Sequence, residues 1–245
     1  MLLDIESAPA QAYVWGIWEQ NVGLNQLIDS GRVLCWAAKW SDQDQIEFSS
    51  EKKDGKRRMM QKIHKLLNEA DVVVHYNGSR YDIPILNREF LKLEMDPPAP
   101  YKQVDLLKVA KTRFKFLSNK LDFVAKTLGL GSKVRHKGFE LWIECMEGKA
   151  EAWEQMEEYN RGDIILLEKL YNRVLPWIKN HPNFNLFSRD GLVCPKCGSK
   201  HYHFRGNAQV KTLTYRRAQC NDCGSWFRSN KAIDKKHPDT FVEIA

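Results

Sequence analysis

Residues 1–6, Met-Leu-Leu-Asp-Ile-Glu, combine an apolar strand with two acidic side chains. Residues two apart in a strand point to the same side of the sheet, so Asp4 and Glu6 share a face. Asp and Glu are seldom fully buried without partners, so carboxylates on a strand this apolar indicate a bound cation. The alternative is a solvent-facing edge strand. The neighbouring Leu2, Leu3 and Ile5 argue against it, because they are apolar.

A second apolar segment also ends in polar side chains. Residues 72–76, Val-Val-Val-His-Tyr, are typical of a buried strand, and Asn77-Gly78-Ser79-Arg80-Tyr81-Asp82 follows directly. Taken alone, Asn77 and Gly78 would indicate a turn and Asp82 a helix cap. Next to a strand like that of residues 1–6, Asp82 is a candidate for the same cation site.

A third acidic motif lies on a predicted helix, residues 151–175. Tyr159 and Asp163 are four residues apart, so their side chains meet on one helix face. Gly162 costs the helix about 1 kcal/mol relative to Ala, which indicates close backbone packing at that point. The alternative is a core tyrosine with an aspartate at its edge. The predicted inward face consists of Met156, Tyr159, Asp163, Leu167, Leu170 and Val174.

The remaining pattern predicts an α/β fold, a mixed sheet flanked by helices. Further strands are predicted by aromatic and β-branched content at residues 13–18, 33–40, 45–49 and 101–105. Further helices are predicted by apolar spacing at residues 56–68, 83–93, 106–114 and 121–128.

The order Asp-x-Glu, Asn-x-x-x-Tyr-Asp and Tyr-x-x-x-Asp resembles the DEDDy branch of the 3′–5′ exonucleases, which includes the proofreading domains of B-family DNA polymerases. Residues 79–86 and 119–130 agree with that family, and the resemblance covers residues 1–178. It implies a ribonuclease H-like fold and hydrolysis of nucleic-acid phosphodiesters with two Mg²⁺ or Mn²⁺ ions.

The resemblance also implies a role for each catalytic residue. Asp4 bridges both ions, Glu6 and Asp163 bind the first ion, and Asp82 holds the second through water. Tyr159 orients the attacking water, since a phenol with a pKa of about 10 is a poor base.

Three further residues are candidates for substrate binding: Asn77, Tyr81 and Lys120. Tyr81 stands where the family often has Phe. For Lys120, a solvated surface role is nearly as probable as contact with the scissile phosphate. Asp105 follows a predicted strand and is expected to cap the next helix, with support of the site as the alternative.

Two Cys-x-x-Cys-Gly turns near the C-terminus predict a zinc ribbon that holds one structural Zn²⁺. Rubredoxin-like iron is disfavoured by the hydrophilic sequence between the turns, and His201 and His203 are not needed as ligands. The predicted domains are an exonuclease domain at 1–178, a linker at 179–192 and the ribbon at 193–245, an architecture similar to phage-type exonucleases. The predicted ligands are Cys194, Cys197, Cys220 and Cys223.

Basic and aromatic residues alternate within the predicted ribbon. This pattern suits nucleic-acid contact by charge and stacking, although some of the aromatic residues are expected to form the small core of the ribbon. The residues concerned are Tyr202, Phe204, Arg205, Lys211, Tyr215, Arg216, Arg217, Trp226, Phe227 and Arg228.

Charge and composition agree with a nucleic-acid partner. The net charge is +7, of which +6 falls in residues 189–245, and residues 102–137 hold ten Lys or Arg against two Asp. No apolar run approaches the ~20 residues of a membrane span, and no secretory signal is visible, so a cytoplasmic protein is expected. Two differently charged solvated faces are the alternative explanation for the charge pattern.

Together these patterns predict a 3′–5′ exonuclease that favours DNA, single-stranded or at 3′ ends. An exoribonuclease is one alternative. A nucleic-acid-binding or regulatory protein that uses the fold as a scaffold is the other, and the intact set of acidic residues argues against it. A replication or repair partner and the oligomeric state stay open at this stage.

Overall fold

The computed structural model describes residues 1–187, 192–210 and 212–233 of the 245-residue chain. The chain divides into two units, Met1–Tyr171 and Asn172–Ala245. The domain boundaries predicted at residues 178 and 193 stay predictions, and residues 188–191 of the predicted linker lie outside the described residues.

Unit 1 is built on a five-stranded mixed sheet with strand order β5-β4-β1-β6-β7. β1 pairs antiparallel with β4 and parallel with β6, and β6 pairs parallel with β7. This arrangement confirms the predicted ribonuclease H-like α/β class. The strands of unit 1 are β1 (Leu2–Ser7), β2 (Gln11–Ala12), β3 (Leu27–Asp29), β4 (Val33–Lys39), β5 (Ile46–Ser50), β6 (Val72–His75) and β7 (Lys102–Asp105).

Helices flank this sheet and pack against it in two core clusters. The helices are α1 (Glu51–Asp54), α2 (Lys56–Glu69), α3 (Asp82–Lys92), α4 (Leu106–Arg113), α5 (Leu121–Thr127), α6 (Glu140–Met146) and α7 (Ala150–Val174). One core cluster joins α2 and α3 to the sheet through residues such as Met60, Ile63 and Phe90. A second joins α6 and α7 to β4, and Leu34, Leu141 and Met156 are completely buried there.

The carboxyl ends of the parallel strands β1, β6 and β7 lie together at one end of the sheet. The polar motifs lie at these carboxyl ends. Asp105, the last residue of β7, accepts hydrogen bonds from Leu107 N at 3.0 Å, Asn77 N at 2.9 Å and Ser79 Oγ at 2.7 Å. The predicted cap of α4 is therefore confirmed. The same carboxylate also fixes the turn that leads into Asp82.

The predicted strand at residues 13–18 is wrong. Only Gln11–Ala12 pairs there, with Leu27–Asp29, and the aromatic residues beyond it extend into solvent, with Trp15 100% exposed. Aromatic content favours a strand only where a neighbouring strand and a core face can bury the side chains. The sequence around Cys145 is helical in character, but the bounds of α6 were not predicted, because Leu141 and Cys145 are its only buried residues and one pair does not define a period.

Unit 2 contains a three-stranded antiparallel sheet with strand order β10-β9-β8. The strands are β8 (Tyr202–Val210), β9 (Leu213–Cys220) and β10 (Trp226–Ala232). Two segments before the sheet are joined to each other, since Phe184 N donates to Pro195 O at 2.9 Å and Asn185 pairs with both backbone groups of Val193.

Candidate active site and metal centres

Three of the predicted carboxylates come together. Asp4 and Glu6 project from the same side of the central strand β1, and Asp163 projects from α7. One oxygen of each lies within 4.8 Å of the oxygens of the other two. Asp163 is buried, whereas Asp4 and Glu6 keep part of their surface open to solvent, so the cluster is accessible from outside.

Burial and mutual repulsion raise the pKa values of this cluster. Burial and the Asp163 charge raise the pKa of Glu6 to about 8. Burial raises the pKa of Asp4 well above its ordinary value, and Glu6 and Asp163 add to that rise. The negative charges of the three acidic groups disfavour one another. A bound cation would stabilise these groups in their charged form.

Asn160 holds Asp4 in place. Its Nδ2 donates to Asp4 Oδ2 at 2.7 Å, and Cys35 Sγ lies 3.8 Å from its Oδ1. Asn160 is completely buried, so its orientation is determined by β4 and α7 together. The hydrogen bond occupies one oxygen of Asp4.

Asp82 lies beside the cluster as the first residue of α3. Its Oδ1 accepts a hydrogen bond from Ile5 N at 3.2 Å, which places it next to β1 between the backbone of Asp4 and that of Glu6. Tyr81, not Asp82, occupies the cap position of α3. Burial raises the pKa of Asp82 to about 6, and backbone hydrogen bonds oppose that rise.

Sequence reasoning missed Lys133, which pairs with the cluster. Its Nζ donates to Asp163 Oδ2 at 2.6 Å and to Tyr159 OH at 2.9 Å. Gly162 explains how the Lys133 loop approaches α7 so closely, since a Cβ on Gly162 would meet Val134 Cγ2 at 2.6 Å. The only signals in the sequence were the basic stretch 102–137 and the helical glycine.

Aromatic side chains enclose Tyr159. His136 contacts its ring edge-on with 4.6 Å between centroids, and Trp142 lies 5.9 Å away. The Trp142 side chain lowers the pKa of Glu6, against the larger opposite effect of burial. Burial and the Asp163 charge raise the pKa of Tyr159 above its ordinary value, so the phenol stays protonated at neutral pH.

The residues of the cluster fit a hard divalent cation. All the ligand atoms are carboxylate oxygens, the type that Mg²⁺ and Mn²⁺ prefer. Asp163 Oδ1 is buried and accepts no hydrogen bond, so it has an unused lone pair inside the cluster. A cation there would satisfy that oxygen and offset the repulsion among the three acids.

Residues 25–175 match the family RNase_H_2 of the RNase_H superfamily, and this match covers more than half of the chain. The chain belongs to the RNase_H superfamily. The match includes Asp82, Tyr159 and Asp163, whereas Asp4 and Glu6 precede it. As in the sequence-based prediction, the fold is that of this superfamily.

A family B DNA polymerase from the hyperthermophilic archaeon Pyrobaculum calidifontis has a similar structure to this RNase_H superfamily chain. The TM-score is 0.54 at 20% sequence identity, and the match covers 72% of this chain and 24% of the polymerase. This chain therefore corresponds to about a quarter of the polymerase, and the likeness concerns the fold. No curated protein sequence matches the chain. Among the helices of the described residues, none has the length and apolar character needed to cross a membrane.

The residues predicted to bind substrate occupy turns near the carboxyl edge of the sheet. Asn77 adopts a left-handed conformation, with φ 67°, in the turn fixed by Asp105. Tyr81 is 55% exposed and Lys120 is exposed just before α5. Tyr76 OH donates to Asn119 O at 2.6 Å, which ties the segment before Lys120 to the end of β6.

The four predicted zinc ligands also come together. Cys194 Sγ lies 3.7 Å from Cys223 Sγ, and Cys197 Sγ lies 3.6 Å from Cys220 Sγ. A tetrahedron with Zn–S bonds of about 2.3 Å has sulfur atoms about 3.8 Å apart, so the spacing fits zinc and is too long for disulfides. Gly198 and Gly224 follow the second cysteine of each turn with φ near 75°, a conformation suited to glycine.

The other candidate ligands and thiols lie elsewhere. His203 Nδ1 pairs with Asn221 Oδ1 at 2.7 Å and His201 with Asp222, so both histidines stay outside the four-cysteine group. Cys35 and Cys145 are buried, and burial raises the pKa of each thiol. Both are therefore unreactive thiols at neutral pH.

Proposed function

We propose that the chain is a metal-dependent 3′–5′ exonuclease that hydrolyses nucleic-acid phosphodiesters. The observation that carries this proposal is the convergence of Asp4, Glu6 and Asp163 within 4.8 Å, with Asp82 beside them. These are the residues that the DEDDy resemblance selects from the sequence. We further propose DNA rather than RNA as the substrate, because the similar structure is that of a family B DNA polymerase.

The carboxylates would hold two divalent cations. When bound, such a pair activates water and stabilises the oxygen that leaves the phosphate. Asp4, Glu6 and Asp163 supply closely spaced oxygens for the first ion. The Oδ1 of Asp82 is already engaged by Ile5 N at 3.2 Å, which supports an indirect, water-mediated role toward the second ion.

Tyr159 and Lys133 orient the reactants rather than remove a proton. The raised pKa of Tyr159 keeps its hydroxyl proton in place at neutral pH, and the hydroxyl oxygen accepts from Lys133 Nζ at 2.9 Å. The phenol would hold an incoming oxygen in place by donating its proton in a hydrogen bond. Lys133 brings a positive charge to a cluster of acids that must admit a phosphate.

In unit 2 we propose one structural Zn²⁺, bound by Cys194, Cys197, Cys220 and Cys223. Thiolates select zinc whereas carboxylates select magnesium or manganese, so the two kinds of metal site should load independently. Zinc binding would stabilise a module of this size, which has few buried side chains of its own.

Strand-end labelling tests this function directly. We expect Mn²⁺-dependent shortening of a 5′-labelled strand by single nucleotides, with protection by a blocked 3′ end and none by a blocked 5′ end. Parallel reactions on single-stranded DNA, duplex DNA and RNA assign the substrate. Release of internal fragments from circular single strands would show an endonuclease, and binding without hydrolysis in every arm would show that the fold serves as a scaffold.

A further inference from the structure

The sheet of unit 2 has an unusual charge composition. Strands β8, β9 and β10 contain five basic residues and no Asp or Glu. An uninterrupted positive sheet attracts polyanions and repels cations. The basic residues are Arg205, Arg216, Arg217, Arg228 and Lys231.

Strand register separates these residues onto two faces. Arg217 and Gln219 alternate with Arg216 and Ala218 along β9, so the two pairs point to opposite sides. Ala218 is buried, and its partners in the register are Phe204 and Phe227, so this side is the core face. Arg216 is on this same side and lies 4.0 Å from the centre of the Phe204 ring, which is 48% exposed.

The opposite face carries a tryptophan among arginines. The register pairs Trp226 with Gln219 and Arg228 with Arg217, which places all four on this side. Arg217 lies 4.8 Å from the centre of the Trp226 ring and Arg205 lies 5.6 Å from it. Trp226 nevertheless remains 46% exposed.

A second aromatic ring on the same face also has an arginine over it. Arg228 lies 3.9 Å from the centre of the Tyr215 ring, and Tyr215 is two residues before Arg217 on β9. Each of the three guanidinium groups on this face also donates one hydrogen bond to a protein oxygen, and all three side chains are exposed. Their remaining N–H groups could donate to phosphate oxygens.

We propose that this face, formed by Arg205, Tyr215, Arg217, Trp226 and Arg228, binds single-stranded nucleic acid. A base would stack on the exposed part of the Trp226 ring, and the flanking arginines would pair with phosphates. Single strands expose base faces for stacking, whereas in a duplex those faces are covered by neighbouring bases. The choice of ligand rests on the proposed function, but this face contains none of the residues of the carboxylate cluster.

The test compares two neighbouring arginines on opposite faces. Wild-type full-length protein and the variants Arg217→Gln, Arg216→Gln and Trp226→Ala are titrated against fluorescein-labelled oligothymidine and oligouridine, with anisotropy as the readout. The buffer contains no added divalent cation, so binding is measured whether or not the protein is a nuclease. Arg217→Gln and Arg216→Gln remove the same charge and differ only in the face affected.

We expect Trp226→Ala to weaken binding about fivefold or more, the size of one stacked base. Arg217→Gln should make the slope of log Kd against log salt shallower by about 0.7, and Arg216→Gln should leave it close to wild type. Tighter binding of oligothymidine would identify the strand as DNA, and tighter binding of oligouridine would identify it as RNA. Equal effects of Arg216→Gln and Arg217→Gln, or unchanged binding by Trp226→Ala, would overturn the proposal.

Folding controls keep the comparison decisive. Each variant is accepted only if its far-ultraviolet circular dichroism and zinc content equal those of wild type. If Trp226→Ala fails this control, Trp226→Leu replaces it, because leucine keeps apolar bulk and removes the stacking ring. If the wild-type protein does not hydrolyse strands in the strand-end assay but the variants change binding as expected, only the nuclease function is refuted. If hydrolysis occurs but the variants do not change binding as expected, only the binding role of this face is refuted.

Discussion

Lys133 Nζ lies 2.6 Å from Asp163 Oδ2, and this ion pair links a loop without regular structure to the long helix α7. Burial disfavours the charged ammonium, but the Asp163 charge and the hydrogen bonds to Asp163 and Tyr159 outweigh it and raise the pKa of Lys133. The lysine is therefore cationic at neutral pH. It offsets part of the repulsion among the carboxylates and brings positive charge to the place where a phosphate would enter.

Lys133→Met should reduce kcat by about 10²-fold or more, the typical loss when one stabilising donor is removed from a catalytic site. Steady-state kinetics on a single-stranded oligonucleotide check this, and KM should change less than kcat. Lys65→Met is the matched control, since Lys65 is 77% exposed on α2 and its nearest acid is Glu69 at 3.9 Å. Similar rates for the two variants would contradict a role for Lys133 in the reaction.

Tyr159→Phe should retain partial activity, because the carboxylates stay in place and only the hydroxyl is lost. The ring of phenylalanine keeps the contacts with His136 and Trp142. Single-turnover rates at saturating protein separate this effect from weaker binding. Complete loss of hydrolysis with normal metal binding would mean that the hydroxyl does more than orient water.

The stability of the protein without divalent cations should fall as pH rises from about 5 to about 8. The ordinary pKa of Glu6 is 4.5. In the fold, burial and, second to it, the Asp163 charge raise this pKa to about 8. Within that window the folded state binds a proton that the unfolded state has released, so the free energy of unfolding falls with increasing pH. Thermal unfolding measured across this range provides the check.

Glu6→Gln is the matched variant for the pH prediction. It removes the titrating group and keeps the shape of the side chain, so its melting temperature should depend less on pH than that of wild type. A pH dependence as steep as that of wild type would show that other groups cause it.

Gly162→Ala should destabilise the protein, although helix propensity alone predicts a gain of about 1 kcal/mol in the free energy of unfolding. The added Cβ would meet Val134 Cγ2 at 2.6 Å, so the Lys133 loop has to move away from α7. Chemical denaturation gives the sign of the change. A second variant, Gly162→Ala with Val134→Ala, should recover much of the lost stability, because it removes the atom that clashes; no recovery would contradict this explanation.

Much of unit 1 could be predicted because its elements have regular periods. Alternation placed Asp4 and Glu6 on one side of β1, and the spacing of four placed Tyr159 and Asp163 on one face of α7, both as found. The prediction that Gly162 allows close packing is confirmed by its contact with Val134. Each of these inferences depends on geometry within a single element.

The features that were missed depend on contacts between elements. Lys133 lies in a loop with no period, so the sequence could not indicate that its ammonium reaches Asp163. Residues 13–18 have the composition of a strand, but within the described residues the ladder to Leu27–Asp29 ends at Ala12, and Tyr13 adds only one backbone bond, from its N to Gln26 O at 3.0 Å. Lys211, predicted to belong to the basic surface of the ribbon, lies outside the described residues.

The most direct test of the central claim is single-turnover hydrolysis of a 5′-labelled single strand with Mn²⁺. Wild type and Asp96→Asn, which changes an exposed acid away from the cluster, should release nucleotides from the 3′ end at equal rates. Asp4→Asn and Asp163→Asn should keep the fold and yield no product. Hydrolysis by either variant at the wild-type rate, or by wild type after removal of divalent cations, would contradict the account.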